Sequence, residues 1–200
     1  MYILPEPEKK EVTEGFFQIS CHTEIILPQA SAEESASVAA AAEQLKETIR
    51  RSAGYELSVR RCGKKETGKS QILLHYGEEK TGSGAQGYRL TVAPEEICIE
   101  GNGAAGVFYG VQTLRQIAVQ SGAEIPCMMM EDKPALANRG YYFDATRGRI
   151  PRLDALKKMA DTLSYYKINQ MQLYIEHSFL FPSKSELWRD DTPITAEDIM

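Results

Sequence analysis

The run Ile125-Pro-Cys-Met-Met-Met-Glu-Asp-Lys-Pro134 constrains this chain more than any other stretch. It reads as a short strand that breaks into a proline linker, and so divides the 200 residues into segments 1–132 and 133–200. A segment of the first size can bury a core of its own. The second cannot close a barrel of eight strands and eight helices, which takes about 250 residues. Charge changes at the same place: residues 1–132 carry 19 acidic and 13 basic groups, whereas 133–200 carry 9 and 10.

Along the first segment, a Pro- and charge-rich lead-in precedes Phe16-Phe-Gln-Ile-Ser and Glu24-Ile-Ile-Leu, which read as short strands closed by Pro28. A helix follows. Ser31 and Glu34 have capping-box spacing, Val38, Ala42, Leu45 and Ile49 recur at helical intervals, Arg50 and Arg51 suit the C-terminal dipole, and Gly54 can end it. Leu57-Ser-Val-Arg and Gln71-Ile-Leu-Leu-His-Tyr read as strands around a polar Gly/Lys connection. Gly87-Tyr-Arg-Leu-Thr-Val and Glu96-Ile-Cys-Ile-Glu-Gly alternate with period two around Ala93-Pro-Glu, which predicts a hairpin. A second helix runs from about Ala104 to Gln120, with Val107, Val111, Leu114 and Ala118 on one face. The expected class is an α+β domain, a mixed or antiparallel sheet with helices on one face.

Segment 133–200 repeats strand, helix, strand: Arg139-Gly-Tyr-Tyr-Phe-Asp144, then a helix opened by Pro151 with Leu153, Leu156, Ala160 and Leu163 on its face, then Asn169 to Ile175. In the last of these, Met171, Leu173 and Ile175 share one face, suited to packing under helices. Gln172, Tyr174 and Glu176 then point the other way. Thr195-Ala-Glu-Asp has the form of a capped helix start.

The formal charge of −5 provides no footprint for nucleic acid. Cys21, Cys62, Cys98 and Cys127 form no CxxC pair, so they read as isolated small apolar residues, and neither a metal nor a cofactor is expected. No secretion-type leader and no run of 18 apolar residues is present, so the chain reads as cytoplasmic without a membrane partner.

Gly101-Asn-Gly103-Ala-Ala-Gly106 fits G-x-G-x-x-G between a strand and a helix, the spacing of a dinucleotide fingerprint. The strand before it alternates Glu96, Ile97, Cys98, Ile99, Glu100, which suits a sheet with one wet face rather than a strand buried on both. A structural turn is therefore the favoured reading, with nucleotide binding as the rival.

Two stretches are more specific. Gly103-Ala-Ala-Gly-Val-Phe-Tyr-Gly110-Val-Gln112-Thr113-Leu114-Arg-Gln116 resembles the helix of the α+β domain that precedes the barrel in glycoside hydrolase family 20, the β-N-acetylhexosaminidases. Arg139-Gly-Tyr-Tyr-Phe-Asp144-Ala-Thr-Arg147, with Tyr166-Lys167-Ile-Asn169 beyond the next helix, resembles the first strand, helix and second strand of that family's (β/α)8 barrel. The resemblance implies an accessory domain at 1–132 and the N-terminal part of a truncated TIM barrel at 133–200. It also implies retaining removal of terminal β-linked N-acetylhexosamine, in which the substrate's own acetamido oxygen attacks the anomeric carbon. The family's Asp-Glu pair follows the fourth barrel strand, so no catalytic residue is expected here and the chain alone should be inactive. The neighbouring carboxylates Glu131-Asp132 and Asp190-Asp191 read as linker or turn charges.

By the same resemblance Arg139 matches a first-strand Arg that hydrogen-bonds sugar hydroxyls, with a structural ion pair, for instance to Asp144, as its other reading. Glu176 is expected at the rim of the barrel, and His177 beside it is a pocket candidate, although the family commonly carries His at the positions of Gln172 and Tyr174. Trp188 resembles a mouth loop, Tyr165-Tyr166 reads as helix packing, and His22 and His75 lie in the first domain. The partner class is an N-acetylhexosamine-containing glycan, and uncovered strand edges in 133–200 invite self-association. Three rivals remain: another barrel glycosidase with the same accessory domain, of the α-glucuronidase or O-GlcNAc hydrolase type; a non-catalytic carbohydrate-binding module; and the nucleotide reading.

Overall fold

The computed structural model describes residues 1–28, 32–61, 70–76, 84–148, 150–187 and 193–199. It comprises two compact units, Met1–Ala137 and Asn138–Met200. The first holds β1 (Lys9–Gln18), β2 (Glu24–Leu27), α1 (Ala32–Ala53), β3 (Ser58–Arg61), β4 (Gln71–Tyr76), β5 (Tyr88–Val92), β6 (Glu96–Gly101), α2 (Ala104–Ser121) and β7 (Glu124–Asp132).

Among the described residues its seven strands form one mixed sheet in the order β1-β7-β5-β6-β4-β2-β3. The pairs β1/β7, β7/β5 and β5/β6 are antiparallel; β6/β4, β4/β2 and β2/β3 are parallel. The expected hairpin is β5–β6, with Leu90 opposite Ile99. Alternate residues of β4, β5 and β6 enter a core shared with both helices: Ile72, Leu74, Leu90, Ile97 and Ile99 meet Leu45 and Ile49 of α1 and Val107, Val111, Leu114 and Ile117 of α2. Burying each such side chain is worth about 1.5–3 kcal/mol. Capping of α1 by Ser31 lies outside the described residues, as do Cys62, Trp188, Asp190 and Asp191. Among the described residues no helix is long and apolar enough to cross a membrane.

The first strand departs from expectation. It begins at Lys9, inside the stretch that reads as a lead-in, because an edge strand pairs on one side only and tolerates Lys9, Lys10, Glu11 and Glu14 in place of an apolar alternation. Its pairing with β7 is interrupted between Val12 and Phe16, where Gly15 turns at φ +97°.

Helix α2 explains both sequence motifs. A Cβ on Gly101 would lie 2.2 Å from the Val107 nitrogen, one on Gly106 2.2 Å from the Gly87 oxygen, and one on Gly110 2.5 Å from Ile99 Cγ2. Two of the three glycines of the apparent dinucleotide fingerprint, Gly101 and Gly106, thus let the helix touch the sheet. The strand beside β6 toward β7 is the antiparallel β5, not the parallel neighbour of a dinucleotide fold. Farther along, Gln112 donates to Gln44 of α1 at 3.0 Å, and Arg115 donates to Gln44, Gln112 and Thr48 at 3.1, 2.6 and 2.8 Å. Thr113 meets the hydroxyl of Tyr88 at 2.6 Å.

One turn on, Gln116 and Gln120 clasp the N-terminal segment. Gln116 accepts from the Leu4 amide at 2.8 Å and donates to the Leu4 carbonyl at 2.7 Å; Gln120 does the same for Tyr2 at 2.9 and 2.6 Å. Each amide side chain acts as an extra peptide unit. Removing two neutral hydrogen bonds by Gln116→Ala should cost about 1–2 kcal/mol locally. The Leu4 amide should then exchange its hydrogen about ten-fold faster, and unchanged exchange there would show that the clasp holds nothing.

The face of the sheet opposite the helices carries a row of charges in register across five strands. Lys9, Glu131, Arg89, Glu100 and His75 are successive cross-strand partners on β1, β7, β5, β6 and β4. Glu131 bonds Arg89 through Nε at 2.9 Å and through Nη2, and Lys9 at 3.1 Å, and these cations hold its carboxyl below the usual carboxylate range. Asp132 accepts from Tyr88 at 3.0 Å, and Tyr88 is itself pushed well above its ordinary pKa by burial and then by that carboxylate. Glu131 and Asp132 are therefore strand residues with structural partners rather than linker charges.

The second unit holds β8 (Gly140–Asp144), α3 (Leu153–Tyr165), β9 (Gln170–Tyr174), a 3₁₀ segment (Pro182–Leu187) and α4 (Ala196–Ile199). β8 and β9 pair in parallel, Gly140 with Gln170 through Asp144 with Tyr174. Met171, Leu173 and Ile175 pack with Phe143 and Phe179 around Ala145, Leu156 and Ile194. Thr195 and Asp198 cap α4 reciprocally, the Thr195 amide donating to Asp198 at 2.8 Å and the Asp198 amide to Thr195 at 3.2 Å.

Candidate active site

Because β8 and β9 are parallel, their C-terminal ends lie at one edge, where open parallel sheets gather functional loops. Asp144 ends β8 and is the register partner of Tyr174, which ends β9. The chain then turns sharply. Asp144 Oδ1 accepts from the amides of Thr146 at 2.9 Å and Arg147 at 3.0 Å, and those two bonds are the leading reason its carboxyl lies below the ordinary Asp range. Buried Thr146 ties this turn to the next strand end: its hydroxyl accepts from the Glu176 amide at 2.8 Å and meets Ser178 at 3.2 Å.

The turn swings Arg147 back over the strand ends. Its guanidinium lies 3.3 Å from Asp144 Oδ2, 3.2 Å from the Tyr174 hydroxyl and 3.1 Å from Glu176 Oε1, and its Cζ is 4.9 Å from the centre of the Tyr174 ring. The Tyr174 phenol donates to Glu176, which raises its pKa by stabilising the protonated form. Tyr142 stands beside it, ring centres 6.3 Å apart. One fork of donors, two carboxylate acceptors and two aromatic faces thus converge on a surface where Arg147 keeps two-thirds of its side-chain exposure. Such a set suits neutral polyols: vicinal hydroxyls accept from a guanidinium and donate to carboxylates, and aromatic faces cover the apolar side of a sugar ring.

Of the residues singled out in the sequence, Glu176 belongs to this cluster. His177 follows it, part-buried in the turn after β9. Arg139 lies at the other end of β8. Its Nε donates to the Lys167 carbonyl at 2.8 Å and its amide to Asn169 Oδ1 at 2.8 Å, so it fastens the start of β8 to the connection between α3 and β9. Asp144 takes Arg147, not Arg139, as its ion partner. Arg147 was legible as the end of Asp144-Ala-Thr-Arg147, an Asp positioned to accept from the two following backbone amides just past a strand.

Residues 1–133 match the family model described as glycosyl hydrolase family 20, domain 2. Over 115 residues, 56% of this chain, it is 38% identical to a beta-hexosaminidase of Akkermansia muciniphila, and the match spans only 23% of that relative's length. The structure is similar to the GH20 beta-N-acetylhexosaminidase from Streptomyces coelicolor A3(2), with a TM-score of 0.80 and 26% identity over 98% of this chain and 42% of that one. It is also similar to a mutant Streptomyces plicatus beta-hexosaminidase in complex with product, GlcNAc, with a TM-score of 0.68 and 26% identity over 88% of this chain and 34% of that one.

Proposed function

The chain belongs to glycosyl hydrolase family 20, and on that premise we propose that it forms part of an enzyme removing terminal β-linked N-acetylhexosamine from glycans. In this reading Met1–Ala137 is the accessory domain, and β8, α3 and β9 are the opening of a (β/α)8 barrel. The carrying observation is the convergence of Arg147, Asp144, Tyr174 and Glu176 at the C-terminal ends of two parallel strands, the end at which barrel enzymes build their sites. Arg147 donates to two hydroxyls of the terminal sugar. Asp144 and Glu176 fix the guanidinium plane, and Glu176 accepts from a sugar hydroxyl when the phenol of Tyr174 releases it. Substrate recognition at these residues serves a retaining, substrate-assisted reaction, in which the acetamido oxygen of the sugar displaces the leaving group at the anomeric carbon. The Asp-Glu pair that orients the acetamide and protonates the leaving oxygen lies beyond β9 and is supplied by further barrel strands.

The test uses p-nitrophenyl N-acetyl-β-glucosaminide. The 200-residue chain alone should release no nitrophenol, whereas a protein in which its own reading frame continues through the remaining barrel strands should hydrolyse it. Nitrophenol release by the chain alone would remove the assignment of the acid and base to later strands. A completed barrel inactive on every β-N-acetylhexosaminide would remove the substrate assignment.

A further inference from the structure

The charged row on the sheet ends at a juxtaposition that the sugar chemistry does not use. His75 on β4 is directly opposite Glu100 on β6, and Cys98, two residues before Glu100 on the same strand, lies diagonally across from it on the same face. One ring nitrogen of His75, the Cys98 Sγ and a Glu100 carboxylate oxygen all lie within 4.8 Å of one another. No spacing in the sequence announces this group, because 22 residues lie between the His and the Cys and only the parallel register aligns them.

Hydrogen bonding orients the imidazole for a ligand. His75 Nδ1 is 3.1 Å from the Tyr76 carbonyl oxygen, which can only accept, so Nδ1 carries a proton and Nε2 is the nitrogen turned to Glu100 Oε1 at 3.4 Å. A histidine whose second ring N–H is held by a backbone carbonyl is the arrangement that fixes metal-ligating imidazoles. In the neutral ring, Nε2 and the carboxylate oxygen are two lone-pair donors facing one another, and a cation between them removes that conflict. Arg89 is not that cation: it is engaged with Glu131, and its nearest approach to Glu100 is 4.0 Å, to the other carboxylate oxygen. Cys98 adds a sulfur on the third side and is not in a disulfide.

We propose that His75 Nε2, Cys98 Sγ and Glu100 Oε1 bind one borderline divalent transition-metal ion of the zinc class, bridging β4 and β6 on the sheet face away from the helices. One nitrogen, one thiolate and one carboxylate are zinc-type ligands, at about 2.0–2.3 Å each, and a fourth, water-filled position completes a tetrahedron. Drawing the three atoms onto such an ion requires side-chain torsions only, since all three project from paired strands. Sulfur and imidazole select against Mg²⁺ and Ca²⁺, which prefer oxygen.

The experiment titrates the full, reduced 200-residue chain with Co²⁺ as a spectroscopic probe and then displaces it with Zn²⁺. One Co²⁺ per chain should give a thiolate-to-cobalt charge-transfer band and intense tetrahedral d–d bands, both abolished by Zn²⁺ and untouched by excess Mg²⁺. Cys98→Ser should abolish the charge-transfer band, while Cys21→Ser keeps it. Should Cys98→Ser fail to fold, Glu100→Gln serves instead and should weaken Co²⁺ binding at least about ten-fold. Absence of the band, its survival in Cys98→Ser, or unchanged affinity in Glu100→Gln would each overturn the proposal, the last two leaving an ordinary His75–Glu100 side-chain contact.

Discussion

Gly106→Ala is expected to destabilise the N-terminal unit by about 3 kcal/mol, lowering its unfolding midpoint by about 6–12 °C. Helix propensity opposes this, since alanine inside a helix is worth about 1 kcal/mol over glycine. The opposing gain is overruled because the new methyl would lie 2.2 Å from the Gly87 oxygen, a backbone atom that no rotamer change can move aside. The helix must lift from the sheet, and the sealed contacts of Val107, Val111 and Leu114 go with it. Gly103→Ala is the control. Gly103 has extended backbone, φ −174°, and its added methyl meets the Ala85 oxygen at 3.3 Å, so the loss should stay near 1 kcal/mol, typical of a poorer N-cap. Equal midpoints for the two variants, measured by circular dichroism, would show that the glycine spacing is not there for helix–sheet contact.

Arg147→Ala should lower kcat/KM on an N-acetyl-β-glucosaminide at least about 100-fold in a protein with the barrel complete. Two charge-assisted hydrogen bonds at about 1.5–3 kcal/mol each are lost, and each 1.4 kcal/mol is a factor of about 10. Arg147→Lys should recover only part of this, because an ammonium keeps the charge but not the planar fork. Arg139→Ala separates the two arginines: kcat/KM should stay within about 3-fold of the parent, while hydrogen exchange at Asn169 and Gln170, whose amides donate to the Arg139 carbonyl, accelerates. The opposite pattern, a silent Arg147 and an essential Arg139, would return the sugar contact to the start of β8 and refute the site described above.

The difference between those arginines marks the limit of what periodicity conveys. Alternation in Met171 to Glu176 correctly separates a packing face from a polar one, because burial imposes period two within a strand. It says nothing about which end of the strand a long side chain serves. That is decided by the turn after Asp144, where a carboxylate accepting two amides reverses Arg147 over the strand ends. The same holds in the first unit. Strands β4, β5 and β6 and both helices are legible because their apolar residues recur at strand or helix spacing, whereas β1 hides in charge because it lies at an edge. His75 and Cys98 could not be associated at all from spacing, since pairing between distant strands is a property of topology rather than of local pattern.

The position of β7 has a consequence for how the chain is made. It inserts between β1 and β5, so Lys9 finds its partner only in Glu131 and the N-terminal clasp closes only on α2. During synthesis at about 5–20 residues per second, the first strand therefore waits on the order of ten seconds with no sheet to join. Its run of lysines and glutamates keeps a nascent edge soluble through that interval, so the composition that conceals β1 from a reader of the sequence also guards it on the ribosome.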